Sequence, residues 1–184
     1  MSRTLVLLWI ASAHAASQTS PRYECDNDYG DSGTWCGGNT IRGTWAYVES
    51  SDDSFYYNDA RVTSDPYAAY VWEYTSMATI YVGEVHFLVW IPESEYATGA
   101  AQYGYGCEEP DGDWWGGTYG LRQEDYRGQW VEIGAIGEVW NGIAKNSRCT
   151  IDIYGSIFDA EGETVVADYT ILQVRYDPND PENQ

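Results

Sequence analysis

Trp114 and Trp115 stand side by side in Asp111-Gly112-Asp113-Trp114-Trp115-Gly116-Gly117. An indole face can receive the C–H side of a pyranose while neighbouring carboxylates hydrogen-bond its hydroxyls, so the stretch reads as a candidate sugar platform. The two-residue period of a strand cannot bury both rings on one face. At least one is therefore expected at the surface, either as a ligand platform or as a cover for the core or a sheet edge. Asp111 and Asp113 are the candidate hydroxyl acceptors, and Tyr103, Tyr105 and Tyr119 on the flanking strands would extend the surface.

A second group is Asp26-Asn27-Asp28-Tyr29-Gly30-Asp31. Asp26, Asp28 and Asp31 are hard oxygen ligands of the kind calcium takes, although the distant glutamate of a helix-loop-helix calcium site is missing. Asp26 can equally cap a turn by accepting backbone N–H bonds. The cofactor expectation is thus none, or calcium.

Catalytic signals are thinner. A nucleophile needs a base within hydrogen-bond reach, and the chain has only two histidines, His14 and His86. His86 lies in a strand-like run on the face of Glu84, Leu88 and Trp90, which suits a satisfied or half-exposed sheet histidine. No Gly-x-Ser-x-Gly elbow or phosphate loop occurs, and Gly104-Tyr105-Gly106 and Gly116-Gly117 read as strand ends and turns. A glycosidase needs two carboxylates roughly 5–10 Å apart. With 29 acidic residues, pairs such as Glu108/Glu109 and Glu93/Glu95 arise by chance. The expectation is a non-catalytic protein.

Strands must position these residues. Apolar positions do not recur at helical spacing, and Gly, Tyr, Thr and Val abound. In Glu84–Ile91, the residues Val85, Phe87, Val89 and Ile91 would share one face, and Pro92 ends the run. Further runs are 68–74, 101–105, 118–122, 129–133, 149–154 and 165–174, with a long hairpin over 106–117. Turns at Asp65-Pro66, Glu109-Pro110-Asp111-Gly112, Trp140-Asn141-Gly142 and Glu161-Gly162 punctuate them. Short strands so spaced predict an all-β sandwich or barrel.

The first fifteen residues, MSRTLVLLWIASAHA, combine Arg3, a short apolar run and Ala13-His14-Ala15, the pattern of a cleaved secretory signal peptide. Residues 16–184 would then form one secreted, extracellular domain. The formal net charge of −20 makes nucleic acid and anionic membrane improbable partners. Cys25, Cys36, Cys107 and Cys149 form an even set, which in an exported protein implies disulfides with three possible connectivities. Cys25–Cys36, closing the N-terminal turn region, and Cys107–Cys149, joining two strands, is the expected pairing. A zinc site is disfavoured because no Cys-x-x-Cys pair occurs.

Several pieces then follow in a familiar order. Asp26-Asn27 precedes a Gly-Thr-Trp ending at Trp35 or Trp45, then Phe55-Tyr56-Tyr57-Asn58, Ala69-Tyr70-Val71-Trp72 and the strand from Val82 to Pro92. Ala101-Gln102-Tyr103, Gln123, Gly128-Gln129-Trp130-Val131-Glu132-Ile133-Gly134 and Val166-Ala167-Asp168 complete the set. In this order, over residues 23–176, the chain resembles the carbohydrate-binding-like domain found at the C-terminus of golvesin and in xanthan lyases. The resemblance implies a jelly-roll-like antiparallel β-sandwich, with Trp72, Trp90 and Trp130 in core or sheet packing. It also implies contact with extracellular or cell-wall polysaccharide. The alternatives are a structural or adhesive protein that uses the same aromatic patch to bind a surface protein, and a small secreted glycan-acting enzyme.

Overall fold

In the computed structural model, Val85, Phe87, Val89 and Ile91 all face the core, as the two-residue period requires. The structure describes residues 22–26, 36–49, 55–56, 58–74, 83–136, 148–155 and 163–176. Residues 1–15, Asn27, Asp28, Asp31, Trp35, Tyr57, Val82, Trp140-Asn141-Gly142 and Glu161-Gly162, on which expectations were placed, lie outside them.

Twelve strands are described. They are β1 (Arg22–Cys25), β2 (Cys36–Arg42), β3 (Ala46–Glu49), β4 (Asp59–Thr63), β5 (Ala69–Tyr74) and β6 (Gly83–Ile91). The second half of the chain supplies β7 (Ala100–Glu108), β8 (Trp114–Arg122), β9 (Gln129–Ile136), β10 (Arg148–Tyr154), β11 (Val165–Ala167) and β12 (Thr170–Tyr176). A 3₁₀ turn, Gln123–Tyr126, follows β8. Every described pairing is antiparallel. A four-stranded sheet, β1-β12-β6-β9, faces a five-stranded sheet, β2-β5-β10-β7-β8, and a three-stranded sheet, β11-β4-β3, adds to the same core. This is the jelly-roll-like antiparallel β-sandwich that the family resemblance implies, and of the sandwich and barrel left open by the strand spacing it is the sandwich.

The core is unusually aromatic. Trp72, Tyr74, Tyr103 and Phe87 are among its largest fully buried side chains. Polar tips inside it find partners: the Tyr74 hydroxyl meets the Thr170 hydroxyl at 2.7 Å, tying the two main sheets together. Gln123 is fully buried and has three hydrogen bonds. Its Nε2 donates to the Tyr103 hydroxyl (2.7 Å) and the Val166 carbonyl (2.8 Å), and its Oε1 accepts from the Val166 N–H (2.8 Å). The amide thereby stands beside β11 as another strand's backbone would.

Both expected disulfides are present. Cys25–Cys36 joins β1 of one sheet to β2 of the other, and Cys107 lies directly opposite Cys149 in the β7–β10 register.

Two element boundaries differ from the sequence reading. The run 165–174 is not one strand: it breaks at Asp168-Tyr169, where the chain passes from the three-stranded to the four-stranded sheet. The hairpin over 106–117 is also shorter than expected, because β7 runs to Glu108 and β8 begins at Trp114. Gly104-Tyr105-Gly106 and Gly116-Gly117 are strand interiors, not strand ends. Glycine is tolerated there because aromatic and carboxylate groups take the space a Cβ would need. At Gly106 a Cβ would stand 2.6 Å from the Trp114 ring, and at Gly117 2.7 Å from the Tyr105 hydroxyl.

Candidate functional site

The antiparallel register maps the outer face of the five-stranded sheet row by row. Directly opposed residues share a face, so Arg148, Glu108 and Trp114 form one row across β10, β7 and β8. Thr150, Gly106 and Gly116 form the next, then Asp152, Gly104 and Thr118, then Tyr154, Gln102 and Gly120. The floor on β7 and β8 is therefore almost free of side chains.

Trp114 leans from its row over the next. A Cβ on Gly106 would meet its Cζ2 at 2.6 Å, and one on Gly116 would meet its Cη2 at 2.7 Å. The six-membered ring thus rests on two glycines, and the side chain is still 58% exposed. Beyond it the floor is open, with nothing within 4 Å of a Cβ placed at Gly120. Asp152 closes the other side, its carboxylate 2.4 Å from where a Gly104 Cβ would be. Burial raises the Asp152 carboxyl above its ordinary value, while a hydrogen bond from the Tyr154 hydroxyl works against that rise. An apolar ring therefore lies beside an open strip bordered by a carboxyl, a phenol, the Gln102 amide and the Thr118 and Thr150 hydroxyls.

Trp115 goes the other way. Opposed to Cys107, it lies on the inward side of the edge strand β8, together with Tyr119 opposite Tyr103. Both remain exposed because β8 ends its sheet, Trp115 at 55%. The expectation that alternation would separate the two tryptophans is met, and both are at the surface.

Two tyrosines expected on that surface are elsewhere. Tyr103 is 1% exposed and bonded to Gln123, so it is a core residue. Tyr105 also points inward. Its ring meets Phe87 (centroids 5.1 Å apart) and fills space left by Gly134, where a Cβ would lie 2.1 Å from it. The physical reason is parity: Tyr103 and Tyr105 share the odd positions of β7 with the inward Cys107, whereas the open face carries the even ones. Asp111 and Asp113 lie in the hairpin. Asp111 Oδ1 accepts from the Asp113 N–H at 3.2 Å, and Gly112 (φ 94°) donates to the Glu109 carbonyl, so Asp111 shapes the turn that delivers Trp114.

The sequence reading missed Asp152, Tyr154, Gln102 and the glycine floor. A signal existed, since Gln102, Gly104 and Gly106 recur with period two on β7, as do Gly116, Thr118 and Gly120 on β8. Only the register shows that these stripes adjoin.

The other expectations can be placed as well. His86 is buried on the outer face of the four-stranded sheet between two carboxylates, its Nε2 3.1 Å from Glu84 and its Nδ1 3.0 Å from Glu132. Trp72 is in the core. Trp90 and Trp130 are opposed across β6 and β9 with ring centroids 5.6 Å apart, and Tyr56 packs on both. Among the described residues no group of three His, Cys, Asp or Glu is placed to hold a metal ion. Asp26 is buried, while Asp28 and Asp31 lie outside the described residues.

Asp168, buried at the β11–β12 corner, accepts the Tyr56 N–H at 3.1 Å. Burial first, and then the charges of Asp26 and Asp59, push its carboxyl well above the ordinary 3.8, against the opposing pull of that hydrogen bond. A carboxyl raised in the folded state favours folding below its unfolded value, and the advantage is lost as pH rises through the folded value. In calcium-free buffer Asp168→Asn should therefore melt above the wild type near pH 8. The gap should narrow as pH falls toward about 4, where both side chains are neutral. A gap independent of pH would refute this.

The chain is thus a β-sandwich with an aromatic strip lined by hydrogen-bonding side chains on one outer face. Among solved structures it is similar to a Paenibacillus xanthan lyase, with a TM-score of 0.59 and 15% identity over 86% of this chain and 13% of the lyase. It is also similar to the xylan-binding module CBM15 (TM-score 0.41, 13% identity, 84% of this chain and 97% of that one). A xylan-binding CBM22 domain from Paenibacillus barcinonensis gives a TM-score of 0.41 and 12% identity, over 88% of this chain and 100% of the domain. No family model and no curated protein matches the chain.

Proposed function

We propose that the chain is a secreted, non-catalytic module of the golvesin C-terminal type that binds extracellular or cell-wall polysaccharide on the outer face of its five-stranded sheet. One observation carries this reading: the Trp114 ring rests on Gly106 and Gly116, with its free face beside an open strip lined by hydrogen-bonding groups. A ring braced from below loses little conformational freedom on binding, which suits it to stack on a sugar. Asp152, Gln102, Tyr154, Thr118 and Thr150 would bind the hydroxyls. The likeness to a xanthan lyase domain, and the sequence resemblance, support the same reading.

Affinity electrophoresis through a panel of polysaccharides tests it. Trp114→Ala should weaken retardation about 30-fold, the equivalent of the ~2 kcal/mol typical of a buried aromatic contact. Trp115→Ala, on the opposite side of β8, should leave it nearly unchanged. Equal losses in the two variants, or no retardation of the wild type, would count against the site.

The cofactor proposed is none or, as the alternative to a turn-capping role for Asp26, calcium at Asp26, Asp28 and Asp31. A melting temperature unmoved by millimolar calcium would remove it.

A protein-binding role is the second reading, favoured by Trp115 and Tyr119 on the edge strand β8. Among the described residues no strand pairs with its outer side, and such edges are templates for another chain. Concentration-dependent mass in light scattering, abolished by Trp115→Ala and without glycan binding, would favour it.

A further inference from the structure

Resting on the glycan-binding reading, we infer that the Trp114 face takes chains of uncharged sugars and turns away polysaccharides that carry carboxylate or sulfate. Anionic glycans are held by cations, above all by arginine, whose planar fork matches a carboxylate or sulfate. The chain has 9 Lys and Arg against 29 Asp and Glu. Arg3 and Lys145 lie outside the described residues, and every described arginine is already engaged.

On the face itself, Arg148 donates Nη2 to Glu73 at 2.7 Å, and Arg42 donates Nε to the Tyr67 carbonyl. Elsewhere, Arg122 is shared by Glu124 and Glu163, Arg22 by Glu24 and the Trp130 ring, and Arg175 pairs with Glu132. Arg127 donates to the Ala97 carbonyl, and Arg61 lies over the Tyr47 ring.

Carboxylates border the platform instead. Glu108 is directly opposite Trp114, the hairpin leading into β8 carries Glu109, Asp111 and Asp113, and Asp152 stands on the floor's far side. A polyanion following the strip would approach these groups, and like charges closer than the roughly 8 Å screening length of physiological salt repel. Of the two arginines on this face, Arg148 is held by Glu73 and Arg42 by the Tyr67 carbonyl, so recruiting either costs an existing contact. A neutral chain meets only a ring and hydrogen-bonding groups, and carboxylates are good acceptors for its hydroxyls.

The test uses matched polymers: immobilised β-glucan, xylan and galactomannan, the two with free primary hydroxyls also as derivatives oxidised to C6 carboxylates, and xylan also as its glucuronic-acid-bearing form. Binding of the mature protein is read by interferometry. The neutral member of a pair should bind at least about tenfold more tightly than the anionic one, because like charges at a contact are strongly disfavoured. Raising the salt should narrow the gap, as should combining Glu108→Gln, Asp111→Asn and Asp113→Asn. Asn keeps the acceptor that Asp111 supplies to its turn. Anionic members binding as tightly as their neutral partners would overturn the inference and leave the glycan-binding reading standing. If neither member of any pair binds, the glycan-binding reading fails and this inference with it.

Discussion

Gln123→Leu should destabilise the protein by roughly 3–6 kcal/mol, since each orphaned buried polar group costs about 1–3 kcal/mol. Leucine is of similar size to the amide but leaves the Tyr103 hydroxyl oxygen without its donor and the Val166 N–H and carbonyl unbonded. Because all of these groups lie in the core, water cannot replace the lost bonds cheaply. Gln123→Glu should also be harmful, since it removes the donor to Val166 and buries an acid. For a chain of this size each kcal/mol moves the melting temperature by about 2–4 °C, so the leucine variant should melt about 6–24 °C lower. Urea unfolding with an unchanged slope would place the loss in the native state. A change below about 1 kcal/mol would mean the three bonds are not maintained in solution.

Removing the Cys107–Cys149 disulfide with paired alanines should cost about 4 kcal/mol, the loop-closure entropy released to the unfolded chain by a cross-link of this span. The two cysteines are 42 residues apart, against 11 for Cys25–Cys36, so the second bridge should contribute about 1 kcal/mol less. The longer bridge also lies beneath the proposed site. Cys107 is flanked in β7 by Gly106, on which Trp114 rests, and by Glu108 opposite Trp114. The β7–β10 pairing has seven opposed residue pairs of its own, so it should survive in the folded double variant, and the proposed glycan binding should persist at reduced melting temperature. A variant as stable as wild type would show that the unfolded chain is already compact around that pairing.

The elements legible in the sequence were those where one local rule suffices. Period-two alternation in Glu84–Ile91 put Val85, Phe87, Val89 and Ile91 in the core. Glu109-Pro110-Asp111-Gly112 specified a turn with positive φ at glycine. Where two rules conflicted, the reading failed. Glycines at 104, 106, 116 and 117 looked like breaks because backbone propensity was weighed without the side chains that lie on them, the Asp152 carboxylate over Gly104 and the Trp114 or Tyr105 ring over the others.

By itself, then, the sequence determined an acidic, aromatic all-β chain with an even set of cysteines and the separation of Trp114 from Trp115, since composition and period two are properties of the chain alone. The tertiary structure alone decided which side of β7 is open. It therefore took Tyr103 and Tyr105 off the open face and brought Asp152 and Tyr154 of β10 onto the same face as Trp114 of β8. The physical reason is register. Which residues oppose one another across β10, β7 and β8 depends on hydrogen bonds between segments distant in sequence, and a slip of one residue would reverse every face.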